Sequence, residues 1–441
     1  MKIYYDKTLI VHEKEGYYYF YSPELGFWFK GDITAHLVIE YILSHQGDID
    51  THTLQTYLKS HGVCESIQTI TEWIENLYKT RLFFPSQKTY EAAVDTFRES
   101  YVIPKDQRLE MVYLHTTHRC NFNCTYCYNK DISRNKSDEL STDQWKKIVD
   151  TLTQYGVSHY IFTGGEPLMR DDLSDIISRV RIRGSNSYSV DLLTNGSLLT
   201  EEKIETFAPL VDTFIISIDS TDMAIHGKHR GEKGFQTLMG AITYLSEHFP
   251  KKIRTRTVLT RDNVHDTIET ARILRTQYGV SSHEIALRLP NSQEEIPLTP
   301  DISVVEEIKK ESEDLEHRDF TLPGRVKCGA STSILGVDMR GDMYPCQTLL
   351  EEEEFRIGSL LDEDWHEQLL NSPVREQFRT LTVDTRDVHR GCEYRYLCGG
   401  GCPAIAWNLY RDLKAYVPFL HEYNRDFAKR LMFLSTVRKV R

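Results

Sequence analysis

The spacing of apolar positions changes twice along this chain. Over residues 105–312, apolar runs at 109–114, 160–163, 189–193, 213–218, 254–259 and 284–289 alternate with stretches of helical spacing, the pattern of repeated strand–helix units. Such units predict an α/β fold with a parallel sheet, which right-handed crossovers would curl toward a barrel. Ser141-Thr-Asp-Gln144 reads as a capping box opening a helix whose apolar stripe is Trp145, Ile148, Val149 and Leu152. Residues 1–95 pattern as a separate module. Strand-like runs at 8–12, 17–21 and 27–29 are punctuated by Gly16, Pro23 and Gly26, and three amphipathic helices follow. The first starts after Asp32 with Ile33, Leu37 and Tyr41 on one face; the second carries Leu54, Tyr57 and Leu58; the third places Ile67, Ile70, Ile74, Leu77 and Tyr78 at helical spacing. Residues 82–84 read as a returning strand. Over 313–441 the alternation fades and cysteines become the dominant signal.

A length of 441 residues predicts about three domains, in keeping with these three segments. The formal net charge of −12 argues against a broad nucleic-acid footprint, which depends on neutralising phosphates, so modification of RNA is disfavoured. No apolar stretch approaches the roughly 18 residues that span a bilayer, and the N-terminus lacks the apolar core of a secretory signal; the expected compartment is the cytosol, with no membrane partner. In that reducing setting nine clustered cysteines point to metal ligation rather than disulfides, with Cys64 set apart as an interhelical residue.

The sharpest signal is Cys120-x3-Cys124-x2-Cys127, placed just after the first strand of the alternating region. Thiolates this close can hold three irons of one cluster and leave the fourth open, whereas a zinc site usually closes with four ligands in paired Cys-x2-Cys units. With Tyr126 before the last cysteine and Gly164-Gly165-Glu166-Pro167 downstream, the sequence resembles the radical SAM superfamily. That resemblance implies an open (β/α)6 partial barrel, a [4Fe-4S] cluster on Cys120, Cys124 and Cys127, and S-adenosylmethionine as cosubstrate. It also implies that Gly164, Gly165 and Glu166 meet the methionine amino group, that Asn195, Ser217 and Asp219 lie around the ribose and sulfonium, and that Arg230 pairs with the methionine carboxylate. The chemistry belongs at the C-terminal ends of the strands.

The order of elements in residues 1–95, three strands then three helices, resembles the winged-helix-like module with which peptide-modifying enzymes hold a precursor's leader. Strand addition at a sheet edge would supply affinity. Equally, the aromatic run Tyr17-Tyr-Tyr-Phe-Tyr21 suits the core of a non-binding accessory domain. In residues 313–441, Cys328-x12-Gly341-x4-Cys346 and Cys392-x5-Cys398-x3-Cys402 resemble the SPASM extension, which holds auxiliary [4Fe-4S] clusters. Two of that pattern's cysteines are missing: His389 stands at one position, and Leu420 followed by His421 at the other. The resemblance implies a first auxiliary cluster on Cys328, Cys346 and Cys402. Cys392 and Cys398 remain for a second, with His389 and His421 as candidate ligands. A second cluster that is altered or lost, or a zinc site of Cys392, Cys398, Cys402 and His389, stands beside that assignment.

The resulting expectation is an enzyme that uses a 5′-deoxyadenosyl radical to abstract hydrogen from a ribosomally made precursor peptide, leaving a thioether, carbon–carbon or carbon–oxygen cross-link. A reductant of the flavodoxin or ferredoxin class would supply its electron. Two alternatives are a maturase acting on a protein side chain, as in sulfatase-maturing relatives, and a non-catalytic peptide-binding scaffold that carries clusters.

Overall fold

The computed structural model describes residues 1–100, 102–129, 132–183, 188–300, 320–321, 328–386 and 391–433. At the N-terminus β1 (Tyr4–Tyr5) precedes an antiparallel sheet of β2 (Ile10–Lys14), β3 (Tyr17–Tyr21) and β4 (Trp28–Gly31), in that spatial order. Glu15 and Gly16, at φ 56° and 76°, form the tight turn between β2 and β3. Two consecutive positive φ values match the twist of a two-residue hairpin, and glycine takes the second at no steric cost. Helices Ile33–Ser44, Thr51–Ser60 and Ile67–Tyr78 follow, capped by the side chains of Asp32, Asp50 and Ser66. Phe20 and Phe29 from the sheet pack with Val38, Ile42, Leu58 and Leu77 into one buried cluster. β5 (Phe83–Phe84) returns, pairing antiparallel with β1 rather than with the three-stranded sheet.

One helix, Gln87–Glu99, has no counterpart in the sequence expectations and runs past residue 95. Val94 is its single fully buried residue, but Tyr90, Ala93, Val94 and Phe97 form a half-buried stripe at helical spacing and Ser86 and Thr89 close a capping box at its start, so both signals of this helix are present in the sequence.

The central sheet holds β6 (Met111–Thr117), β7 (His159–Gly164), β8 (Ser189–Thr194), β9 (Thr213–Ser217), β10 (Ile253–Leu259) and β11 (His283–Leu287) as parallel neighbours in chain order. Helices Thr142–Tyr155, Leu173–Arg183, Glu201–Phe207, Phe235–His248 and Thr267–Thr276 lie between these strands in sequence. The capping box at Ser141 is present, and Trp145, Ile148, Val149 and Leu152 are buried against Val112, Leu114, Tyr160 and Phe162 of the sheet. β12 (Phe320–Thr321) pairs with β11 at one side. At the other, β13 (Ile334–Val337) joins β6 in parallel, and β14 (Asp342–Tyr344) and β15 (Gly358–Ser359) continue antiparallel. Among the described residues β12 and β15 are the two ends of this sheet and do not pair, so it stays open.

C-terminal to β15, helices Pro403–Tyr410 and Pro418–Phe433 pack against the open end, with Ile405, Leu409, Leu420 and Tyr423 meeting Leu259, Ile285 and Leu287. The N-terminal sheet rests on this region. Tyr21 stacks on Tyr394 with ring centroids 5.4 Å apart, His12 and the Tyr394 hydroxyl are 2.5 Å apart, and the Tyr19 hydroxyl donates to the Phe433 carbonyl at 3.1 Å. Among the described residues no helix is long and apolar enough to cross a membrane.

Candidate active site and cysteine clusters

The loop after β6 carries Cys120, Cys124 and Cys127 to the C-terminal ends of the parallel strands. Its base is pinned: Arg119 Nε donates to Glu139 at 2.8 Å, and Thr117 Oγ1 donates to the same carboxylate. Within the loop the Cys127 N–H donates to the Cys124 carbonyl at 3.2 Å, and the Phe122 N–H approaches Cys120 Sγ at 3.4 Å.

Gly164 and Gly165 lie against the backbone of this loop. The Gly165 N–H donates to the Thr117 carbonyl and the Glu166 N–H to the Arg119 carbonyl, each at 2.8 Å. A Cβ on Gly164 would stand 2.0 Å from the Thr117 carbonyl oxygen, and one on Gly165 would stand 2.3 Å from that of Arg119. Backbone at such distances cannot yield, so glycine is required here by the fit of two strand-end turns, whatever ligand lies beyond. Glu166 is fully buried. It accepts from Thr194 Oγ1 at 2.7 Å, the Asn195 N–H at 2.8 Å and the Leu168 N–H at 3.1 Å, tying the β7 turn to the β8 turn. Burial raises its pKa against the pull of these three donors.

Asn195 Nδ2 donates to Asn121 Oδ1 at 3.0 Å and lies 4.0 Å from Cys120 Sγ, while its Oδ1 accepts from Ser197. Past β9, Asp219 accepts from Arg230 Nε at 2.9 Å and from the Tyr126 hydroxyl. The guanidinium sits 5.3 Å above the Tyr126 ring. Burial is the largest influence and works against the charge on Arg230, but Asp219, Tyr126 and Cys124 together outweigh it and the arginine pKa is raised. Burial also lifts the Cys124 thiol to about 11 and raises that of Cys120.

A cavity of about 260 Å³ is walled by Cys120, Cys124, Tyr126, Cys127, Gly164, Gly165, Asn195, Ser217 and Arg230. Nine of the eleven residues expected at the cluster and its cosubstrate thus share one wall. Glu166 and Asp219 stand behind it, buried and hydrogen-bonded to residues that line it. The sequence reading did not include Arg256, Arg288 and Asn291, which also line the cavity. Arg256 pairs with Glu284 at 2.7 Å, Arg288 faces Glu295 at 3.6 Å, and Asn291 Nδ2 donates to the Cys127 carbonyl at 3.3 Å. Arg288 directly follows the C-terminal end of β11, whereas Arg256 lies in the middle of β10 beside Arg254 and carries no such positional signal.

The Radical SAM superfamily profile matches residues 114–274, which span β6 to the helix after β10. These residues are a radical SAM domain. Among relatives, the chain is 26% identical over 345 residues to the AdoMet-dependent heme synthase of Nitratidesulfovibrio vulgaris, covering 70% of this chain and 91% of that protein. It is 24% identical over 328 residues to the PqqA peptide cyclase of Bradyrhizobium diazoefficiens, covering 68% and 83%. In crystal structures, Streptococcus suis SuiB bound to precursor peptide SuiA matches with a TM-score of 0.61 at 13% identity, over 95% of this chain and all of SuiB. That likeness shows the fold.

The cofactors of a radical SAM domain are a [4Fe-4S] cluster and S-adenosylmethionine, and the cavity suits both. Desolvated thiols gain from a cationic metal that holds them as thiolates. Beside them, polar groups from three strand ends face a space with apolar walls at Phe122, Leu287 and Ile405.

Below the domain, the C-terminal cysteines fall into two groups. Cys328, Cys346 and Cys402 pack into one cluster with Ala330, Leu349 and Phe355, and burial pushes the first two thiols up to about 12 and raises the third. Cys392 and Cys398 lie apart with His421, the three ligand atoms all within 4.8 Å of one another. Cys398 and His421 hold the Cys392 thiol below the usual thiol range. His389 lies outside the described residues.

Proposed function

We propose that this protein is a radical SAM enzyme that modifies a ribosomally made precursor peptide, with residues 1–95 holding the leader. The observation that carries this reading is the N-terminal sheet. β2 is paired only to β3 among the described residues, so its outer edge can accept an added strand, and the sheet is fastened through Tyr19, Tyr21 and His12 to the C-terminal region packed on the radical SAM domain. A relative named for cyclising a peptide supports the substrate class.

Within the cavity Cys120, Cys124 and Cys127 would hold the cluster, which when reduced cleaves S-adenosylmethionine and so supplies a radical able to take hydrogen from an unactivated carbon. Gly164 and Gly165 leave room for the amino group. Arg230, oriented by Asp219, would meet the carboxylate through its remaining N–H groups, and Asn195 and Ser217 would border the ribose. Arg256 and Arg288, on the far strands, would face the peptide. In the SPASM-like region Cys328, Cys346 and Cys402 would hold an auxiliary cluster, and a flavodoxin or ferredoxin would deliver the electron.

The test is anaerobic turnover with S-adenosylmethionine, reductant and the peptide encoded by a short reading frame beside the gene. The expected product is a peptide lighter by two hydrogens, formed only when the leader is present. Equal turnover of a leaderless peptide would remove the recognition role, and turnover of a folded protein instead would favour the side-chain maturase.

A further inference from the structure

The resemblance to SPASM proteins leads one to expect a second auxiliary [4Fe-4S] cluster at Cys392 and Cys398, but the arrangement of donors there does not suit one. Thiolates on separate irons of a cubane point away from its faces and stay well apart. Ligands of a single tetrahedral ion crowd together: bonds of 2.3 Å put two sulfurs about 3.8 Å from each other. Among the described residues Cys392, Cys398 and His421 form the one group of three such donors within 4.8 Å of one another. The Cys120, Cys124, Cys127 and Cys328, Cys346, Cys402 groups are wider. The C-terminal trio differs in chemistry as well, since an imidazole replaces a thiolate.

We propose that Cys392, Cys398 and His421 supply three of the four ligands of a single zinc ion, with water as the fourth, so that the protein carries one auxiliary cluster and one zinc. Mixed thiolate and imidazole donation suits zinc, which is redox-silent and indifferent to ligand-field geometry. Cys402 is not a member of this site, because it sits with Cys328 and Cys346. The ion would lie between two segments that already pack on each other, the short helix Arg395–Cys398 and the start of the helix Pro418–Phe433, and would hold them in register. Both support the N-terminal module. Tyr394 stacks under Tyr21, and Phe433, at the far end of the second helix, meets the Tyr19 ring at 4.8 Å. The zinc therefore fixes the platform on which the N-terminal sheet rests, and would do so whatever substrate the enzyme takes.

Elemental analysis of anaerobically purified full-length protein tests this. The expected content is one zinc and about eight irons per chain, the iron of two cubanes. Cys392→Ala should lose the zinc and keep all the iron. Loss of about four irons by that variant, or wild-type protein free of zinc, overturns the proposal. Because Cys392→Ala could fold poorly, cobalt exchanged into the wild type gives a second reading. The His421→Cys variant should retain the metal and intensify the thiolate-to-cobalt absorption; an unchanged spectrum would take His421 out of the site.

Discussion

Arg230 Nε donates to Asp219 Oδ2 at 2.9 Å, with the carboxylate fully buried and the guanidinium nearly so. Removing one partner leaves the other charge buried and unpaired, which typically costs 3–5 kcal/mol. Asp219→Asn should lower the unfolding free energy by about that amount and loosen the orientation of Arg230, so that S-adenosylmethionine binds at least about tenfold more weakly. Equilibrium binding and denaturant unfolding measure the two effects separately. An unchanged affinity would show that the pair serves folding alone.

Gly165→Ala is expected to be more disruptive than its one added carbon suggests. The new Cβ would lie 2.3 Å and 2.5 Å from the carbonyl oxygens of Arg119 and His118, both backbone atoms of the cysteine loop. The loop must move, and the cavity wall with it. Cluster incorporation, followed by absorbance during anaerobic reconstitution, should fall sharply, whereas Gly156→Ala, beside open space at a helix C-terminus, should reconstitute normally while losing some stability to its φ of 100°. Equal incorporation by both variants would contradict the close-approach account.

The alternating region was legible because most of its strands carry apolar, largely buried runs, with β10 alternating buried and more exposed positions, and the following helix changes the period. All six strands lie within a few residues of their expected positions. The first begins at Met111 rather than residue 109 and extends to Thr117, because His115, Thr116 and Thr117 are polar yet buried beneath the cysteine loop. The same logic explains what was not legible. The cosubstrate roles expected of Glu166 and Asp219 came from the family resemblance, while their hydrogen bonds to Asn195 and Arg230 join parts of the chain that no local pattern relates. Arg256 and Arg288 were hidden inside runs read for their apolar neighbours. The departure from the SPASM pattern points to Cys392, Cys398 and His421 together as candidate ligands; their closeness to one another, within 4.8 Å, needed coordinates, because more than twenty residues separate Cys398 from His421.

Cys124→Ala should abolish formation of 5′-deoxyadenosine while the C-terminal cysteines keep their metal. Cys124 lies near Arg230 in the cavity wall, away from the Cys328, Cys346 and Cys402 group, so the two losses are separable. Iron should drop by about four per chain. Wild-type cleavage by this variant would refute the assignment of the triplet.

Stability should decline on acidification through a group far from any cysteine. His283 at the start of β11 is fully buried, its ring nitrogens 2.8 Å from Thr255 Oγ1 and 3.3 Å from Thr257 Oγ1, and burial, aided by Arg275, lowers its pKa to about 3. In the unfolded chain the same imidazole titrates near 6.5, so between those values the unfolded state binds the extra proton. The contribution is therefore present above about pH 6.5 and fades as pH falls toward 3, with a slope near 1.4 kcal/mol per pH unit in the middle of that window. Urea unfolding of the wild type and of His283→Gln across pH 4.5–7.5 isolates this group from His115 and His226, whose pKa values are also lowered by burial. The variant should be less stable at pH 7.5 and lose less on acidification, by about one proton's worth of slope; parallel curves would mean that His283 is not held neutral by its burial.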